Sequence, residues 1–142
     1  MDYAALKAEI QADPNCNSAV SAKDCNSVAA IRSAVRKAVK PVSAATTLTW
    51  AASGPLSRIV DASVNTSNPA RSSCLAFLHS LYSGMDIGLN DPGVLPAFQG
   101  WVAVGIITQA EYDNLFARAT VLDPVSAYDC SFALFNPDGT PK

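Results

Sequence analysis

His79 is the single histidine of this 142-residue chain. It sits beside Leu75, Leu78 and Tyr82, with no Cys or Asp at the spacing of a triad or a metal site. No G-x-S-x-G elbow, phosphate-binding Walker loop or H-E-x-x-H pair is present. The acidic residues are scattered, and the only i, i+4 pair is Glu9 and Asp13, where Asp13 also stands at a helix end. The four cysteines, Cys16, Cys25, Cys74 and Cys130, form no CxxC or CxxH and have no histidine pair near them, so no zinc site is expected. The residue types that do chemistry are present without the spacings that do it. The expectation is a non-enzymatic protein with no cofactor and no bound metal.

One pattern remains. Arg32, Arg36 and Lys40 recur at i, i+4 and i+8, with Lys37 adjoining, and would make a basic ridge beside an apolar helix stripe. A solvated face is the plain reading of such a ridge. The functional reading is contact with an acidic protein surface. Nucleic acid is disfavoured, because the chain is acidic overall and no aromatics interleave with the cations. Cys74 reads as a small core residue. Cys16 and Cys25 flank a short segment and would pair only in an oxidising compartment.

The elements that must position these residues read as helices. Half the residues are apolar and only 15% are charged, which is neither disordered nor fibrous. No apolar run is long enough to span a bilayer, and the basic-then-apolar pattern of an export signal is missing. Asp-Pro or Asn-Pro recurs at Asp13-Pro14, Asn68-Pro69, Asp91-Pro92, Asp123-Pro124 and Asn136-Pro137. The proline pushes its predecessor out of the helical region and is welcome at the first helical position, while Asp or Asn can cap the exposed amides. Tyr3, Leu6 and Ile10 form the stripe of an N-terminal helix over 2–12, too short to persist alone. A second helix is expected from Asp24 to about Lys40, through Val28, Ile31, Val35 and Val39. Further helices follow near 46–50, 55–60, 68–83, 91–105 and 108–119, with a weaker one after Ser126. Thr108 and Glu111 form a capping box, and Gly84 and Gly105 are helix stops. No stretch shows a convincing strand alternation, and Val42 to Trp50 comes nearest to one.

The expected architecture is therefore all-α: a single domain, 1–142, of about five to seven short helices around one core, with loops punctuated by Asp/Asn-Pro. Leu75, Leu78, Phe98, Val102, Leu115 and Phe116 are expected inside. Residues 136–142 read as an extended polar tail, whose order would come from neighbouring subunits. Residues 1–83 carry eight Lys/Arg and five Asp/Glu, and residues 84–142 carry two and seven. That is +3 against −5, a dipole suited to head-to-tail stacking.

The opening Leu6-Lys7-Ala8-Glu9-Ile10-Gln11-Ala12-Asp13-Pro14 resembles the "LKAEI-x-ADP" start of small helical proteins encoded by tailed bacteriophages. The later half is similar in plan: a helix at 70–83, Asp91-Pro92, another helix, then Gly105-Ile106-Ile107-Thr108-Gln109-Ala110-Glu111-Tyr112. The resemblance covers about half the chain and leaves 41–67 unmatched. It implies a structural, accessory subunit of a virion at the neck, tail or capsid, assembled in the host cytoplasm. Its partners would be other virion proteins and copies of itself, with neither nucleic acid nor membrane. The Gly-Ile-Ile-Thr turn is also similar to short oligomerisation modules, so the alternative is a cytosolic oligomerisation or regulatory adaptor. A small enzyme with an unrecognised site is the third reading. On the first reading the interface comprises Tyr3, Leu6, Ile10, Arg32, Arg36, Lys37 and Lys40.

Overall fold

Asp2 opens the first helix by accepting from the amides of Ala4 and Ala5, each at 3.0 Å, which satisfies two of the donors that a helix start leaves free. The same local logic sets most of the other boundaries in the computed structural model, which describes residues Met1–Lys142. Nine helices result: α1 Tyr3–Ala12, α2 Asn17–Ser21, α3 Cys25–Val35, α4 Ala44–Ala52, α5 Pro55–Val64, α6 Arg71–Tyr82, α7 Leu95–Ala103, α8 Gln109–Ala119 and α9 Ala127–Leu134. A 3-10 turn, Pro14–Cys16, follows α1. Asp24 caps α3, Ser43 caps α4, and capping boxes open α8 at Thr108 and α9 at Ser126. The chain is mostly helical, as its composition implies.

Two three-residue strands, β1 Lys37–Val39 and β2 Thr120–Leu122, pair as a small ribbon. Their positions correct the sequence expectation. The helix expected to run to Lys40 stops at Val35, so Val39 belongs to β1. The short helix expected at 46–50 is present as α4, and Val42 just before it bridges Ile87. A three-residue strand is too short to show an alternation in sequence.

The chain divides into two compact units. Residues 1–38 with 122–142 make one, and residues 39–121 make the other. Each has its own apolar core, where the sequence suggested one. The larger unit is built on aromatic rings. Trp50, Phe77, Phe98 and Trp101 pack edge-on or tilted, with centroids 4.7–6.5 Å apart, a geometry that the ring quadrupole favours. Both indoles find acceptors: Trp50 Nε1 donates to the Glu111 carbonyl and Trp101 Nε1 to Ser73 Oγ, each at 2.8 Å. Leu78, Phe98 and Leu115 are inside, while Val102 and Phe116 are half-buried. Leu75, expected inside, is 43% exposed, and Phe77 takes the inward place on α6.

Helices α6 and α7 end in the same way. Gly84 and Gly105 adopt φ of 73° and 75°. At each, the glycine amide bonds three residues back (Leu81 and Val102) and the next amide bonds five back (Ser80 and Trp101). This double turn-back requires a left-handed residue, which glycine supplies without a Cβ clash.

The smaller unit packs α9 against α1 and α3. Leu6, Ile10, Val28, Cys130 and Leu134 form its centre. The N-terminal stripe thus docks on its own chain. One buried group stands out in the larger unit: Thr47 is fully enclosed, and its Oγ1 has no hydrogen-bond partner.

Chemical denaturation of three variants tests this packing. Phe98→Ala should cost about 3–5 kcal/mol and Leu75→Ala less than about 0.5 kcal/mol. Thr47→Val should be neutral or stabilising by about 1 kcal/mol, because it removes an unsatisfied polar atom of nearly equal size. Equal losses at Leu75 and Phe98 would show that the α6 face is misassigned.

Candidate functional site

Arg32 and Arg36, two of the four residues expected to form an outward basic ridge, are engaged inside the smaller unit. Arg32 Nη1 lies 2.7 Å from Asp13 Oδ2, and its Nη2 lies 3.3 Å from Glu9 Oε2. Arg36 Nε lies 3.1 Å from the same Glu9 oxygen, and its Nη1 pairs with the Asp123 carboxylate. Glu9 and Asp13, the one carboxylate pair at helical spacing, therefore serve as counter-ions. The acidic neighbour expected on another protein is α1 of the same chain. Lys37 and Lys40 do not extend the ridge, because α3 stops at Val35 and Lys37 lies on β1. Leu6 and Ile10 are fully buried, so neither is offered to a partner.

The electrostatics of the cluster follow from its contacts. The Asn15 backbone amide, and after it the Arg32 guanidinium, hold the Asp13 carboxyl below its ordinary value. Burial disfavours the Arg32 charge, but its bonds to Asp13 and Glu9 outweigh that, and the net effect is upward. A carboxylate with a depressed folded pKa stabilises the fold above its unfolded pKa and loses that contribution as pH falls through the folded value.

Tyr3 is the exception among the N-terminal residues. Its hydroxyl donates to Asp129 Oδ1 at 3.3 Å, and its ring packs 4.5 Å from Phe132. Burial and the Asp129 charge push its phenol pKa up. Tyr3 thus borders a pocket of about 490 Å3 in the smaller unit, lined by α9, the tail and the α2–α3 turn. The Tyr128 and Phe132 rings stack there, 6.1 Å apart and 29° from parallel. Lys142 Nζ sits 4.1 Å from the Phe132 centroid and Lys23 Nζ 6.0 Å from that of Phe135. Lys23 adopts φ of 56°, a left-handed conformation uncommon for a side-chain-bearing residue.

The polar tail builds this pocket by folding back on its own unit. Lys142 N donates to Leu134 O at 2.9 Å, Phe135 and Pro141 form a β-bridge, and Asp138 Oδ1 accepts from the Thr140 amide at 2.9 Å. Lys7 Nζ reaches the Lys142 main-chain oxygen at 2.7 Å, and Lys23 Nζ reaches the Gly139 carbonyl at 2.9 Å. Neighbouring subunits are not needed to order it. The sequence contained a signal for this site, since Tyr128, Phe132 and Phe135 recur at i, i+4 and i+7. That period alone does not reveal a pocket, because nothing local shows that the tail closes over Phe132 and Phe135.

The larger unit has two apolar clefts of about 160 and 200 Å3 that share Ser73, Ala97 and Trp101. Both are smaller than an ordinary ligand site, about 300–1,000 Å3. The 490 Å3 pocket falls within that range and is the candidate site. His79 is exposed on α6, away from any carboxylate partner within ion-pairing distance. No group of three or more His, Cys, Asp or Glu is placed to hold a metal ion, and no helix is long and apolar enough to cross a membrane.

All four cysteines are free thiols, and Cys16 is buried, so the conditional Cys16–Cys25 pairing is not formed. The sequence dipole also fails to map onto the fold. The smaller unit mixes the basic start with the acidic end, and by its residues each unit carries a net −1.

Comparison with protein-family models, with curated proteins and with solved structures finds no match to the chain.

Two measurements test this chemistry. Arg32→Ala should cost about 1.5–3 kcal/mol, the range for losing hydrogen bonds to charged groups, and Lys37→Ala close to nothing. In Asp13→Asn, the acid limb of the stability-against-pH curve should flatten relative to wild type, with the change confined to pH values below the ordinary aspartate pKa; an unchanged limb would remove Asp13 from the account. Separately, burial raises the thiol pKa of Cys74 and Cys130 to about 11 and pushes Cys16 upward. Under native conditions near pH 8, a thiol reagent should modify Cys25 first, and the other three only on unfolding.

Proposed function

We propose that this chain is a non-enzymatic structural subunit of a tailed-bacteriophage particle, an accessory component of the neck, tail or capsid. It would act by contacts with other virion proteins and with copies of itself, and would be assembled into the virion in the host cytoplasm.

One observation carries the reading. Six of the nine side chains in the opening segment, Leu6, Lys7, Glu9, Ile10, Asp13 and Pro14, are engaged in the fold. Leu6 and Ile10 fill the core of the smaller unit. Glu9 and Asp13 pair with Arg32 and Arg36. Lys7 ties down the C-terminal residue, and Pro14 starts the 3-10 turn. A motif used in this way specifies an architecture, which supports reading the resemblance to the phage group as one between structural proteins. The protein also exposes large apolar side chains, among them Val64, Tyr82, Met85, Val104 and Tyr128, which are available for contact with other proteins. The adaptor alternative draws less support. Its signature turn places Ile106 and Ile107 inside their own unit, where they are not free to form an oligomer seam.

Mass spectrometry of purified virions, with copy number measured against a major structural protein, tests the proposal. The chain should be present at a fixed stoichiometry. Abundance in infected cells together with absence from particles would overturn the structural reading in favour of the adaptor.

A further inference from the structure

The two most exposed large apolar residues in the molecule are both tyrosines, one lining a pocket with two lysines free of ion pairs and the other four residues before an aspartate free of ion pairs. Tyr128, 70% exposed, lines the pocket of the smaller unit together with Lys23 and Lys142. Tyr82, 73% exposed, ends α6 in the larger unit. It is followed by the Gly84 turn, by exposed Met85 and by exposed Asp86.

Neither half is satisfied within the chain. Lys23 and Lys142 form no ion pair with a carboxylate; each bonds only a main-chain oxygen, and an ammonium group has three donors. Asp86 forms no ion pair either. The 82–86 turn is held in shape by the bonds from Gly84 N to Leu81 O at 3.2 Å and from Met85 N to Ser80 O at 2.9 Å. A fixed turn loses little freedom on docking. It presents an aromatic ring and a carboxylate a few residues apart, and the pocket offers stacked aromatic faces with cations beside them.

The geometry points to self-association, with the 82–86 turn of one copy seated in the Tyr128–Phe132 pocket of the next. This rests on the structural-subunit reading and gives the contact between copies. The Tyr82 ring would pack on the Tyr128–Phe132 stack, and the Asp86 carboxylate would meet Lys23 and Lys142. Because the two surfaces differ, the contact is heterologous and propagates into a ring or an open chain. Local complementarity drives it, since the net charges of the two units are the same.

Sedimentation velocity of the purified full-length chain over a concentration series provides the test, using substitutions at exposed positions so that folding, checked by thermal melts, is kept. Wild type should show concentration-dependent oligomers. A turn variant, Tyr82→Ser with Asp86→Lys, should weaken association about tenfold or more, as should a pocket variant, Lys23→Glu with Tyr128→Ser. Mixed at equal amounts, the two variants should form a one-to-one dimer and nothing larger, because only one intact turn meets one intact pocket. A chain carrying Lys23→Glu and Asp86→Lys together should recover association that either reversal alone loses. A monomeric wild type, or a mixture that stays monomeric, would overturn the inference. Either result would leave the virion assignment standing, since that depends on particle composition.

Discussion

The smaller unit exists only because the two ends of the chain meet. Its core takes Leu6, Ile10 and Val28 from the first 38 residues and Val125, Cys130 and Leu134 from the last 21. Between them lies the whole of the larger unit, residues 39–121. Burial of these side chains must therefore offset the closure of a long loop. That cost grows only with the logarithm of loop length, and it is smaller still if the intervening segment is already folded and holds its ends together. The ribbon of β1 and β2 marks the two places where the chain passes from one unit to the other. A folded insertion followed by closure of the outer unit is the order this topology favours, because the local contacts of the larger unit need no distant partner.

The arginine cluster acts on that closure. Arg32 and Arg36 lie within and at the end of α3, and their acceptors come from α1 on one side and from Asp123 on the other. The planar guanidinium groups hold three chain segments in one register, a task that suits arginine better than the point charge of lysine. Such partly buried pairs pay desolvation and add modest net stability. Their larger effect is to penalise a misplaced α1, which would leave Asp13 and the Arg32 guanidinium unpaired in a poorly solvated site.

Local features of this architecture were legible in the sequence. The caps at Asp24, Thr108 and Ser126 and the stops at Gly84 and Gly105 depend on neighbours within a few residues, and the sequence contains those neighbours. Long-range features were not. Leu75 and Phe77 are both apolar and two positions apart on α6, and which one faces inward depends on where Trp50 and Phe98 arrive. The spacing of Arg32 and Arg36 was visible, but their partners lie 19 to 87 residues away. The aromatic pocket was hidden for the same reason: Tyr128, Phe132 and Phe135 show their period, and only the return of residues 136–142 makes a cavity of them. The short strands were invisible because Lys37-Ala38-Val39 and Thr120-Val121-Leu122 continue helical patterns without a break.

A division of labour among the cations links the fold to its surface. Three of the five arginines, Arg32, Arg36 and Arg58, lie in ion pairs within the chain, Arg58 on Glu111 at 2.5 Å. None of the five lysines does. The acids in ion pairs are thus all matched to groups with fixed planar geometry, and the cations left for solution or for a partner are the five lysines together with Arg71 and Arg118. Lysines of that kind exchange partners readily and lose little when a carboxylate replaces water beside them. Where they also lie over aromatic faces, as Lys142 does over Phe132, the ring restricts the side chain before any partner arrives. The cations beside the aromatic pocket, Lys23 and Lys142, are accordingly ones that the helical spacing of the arginines did not pick out.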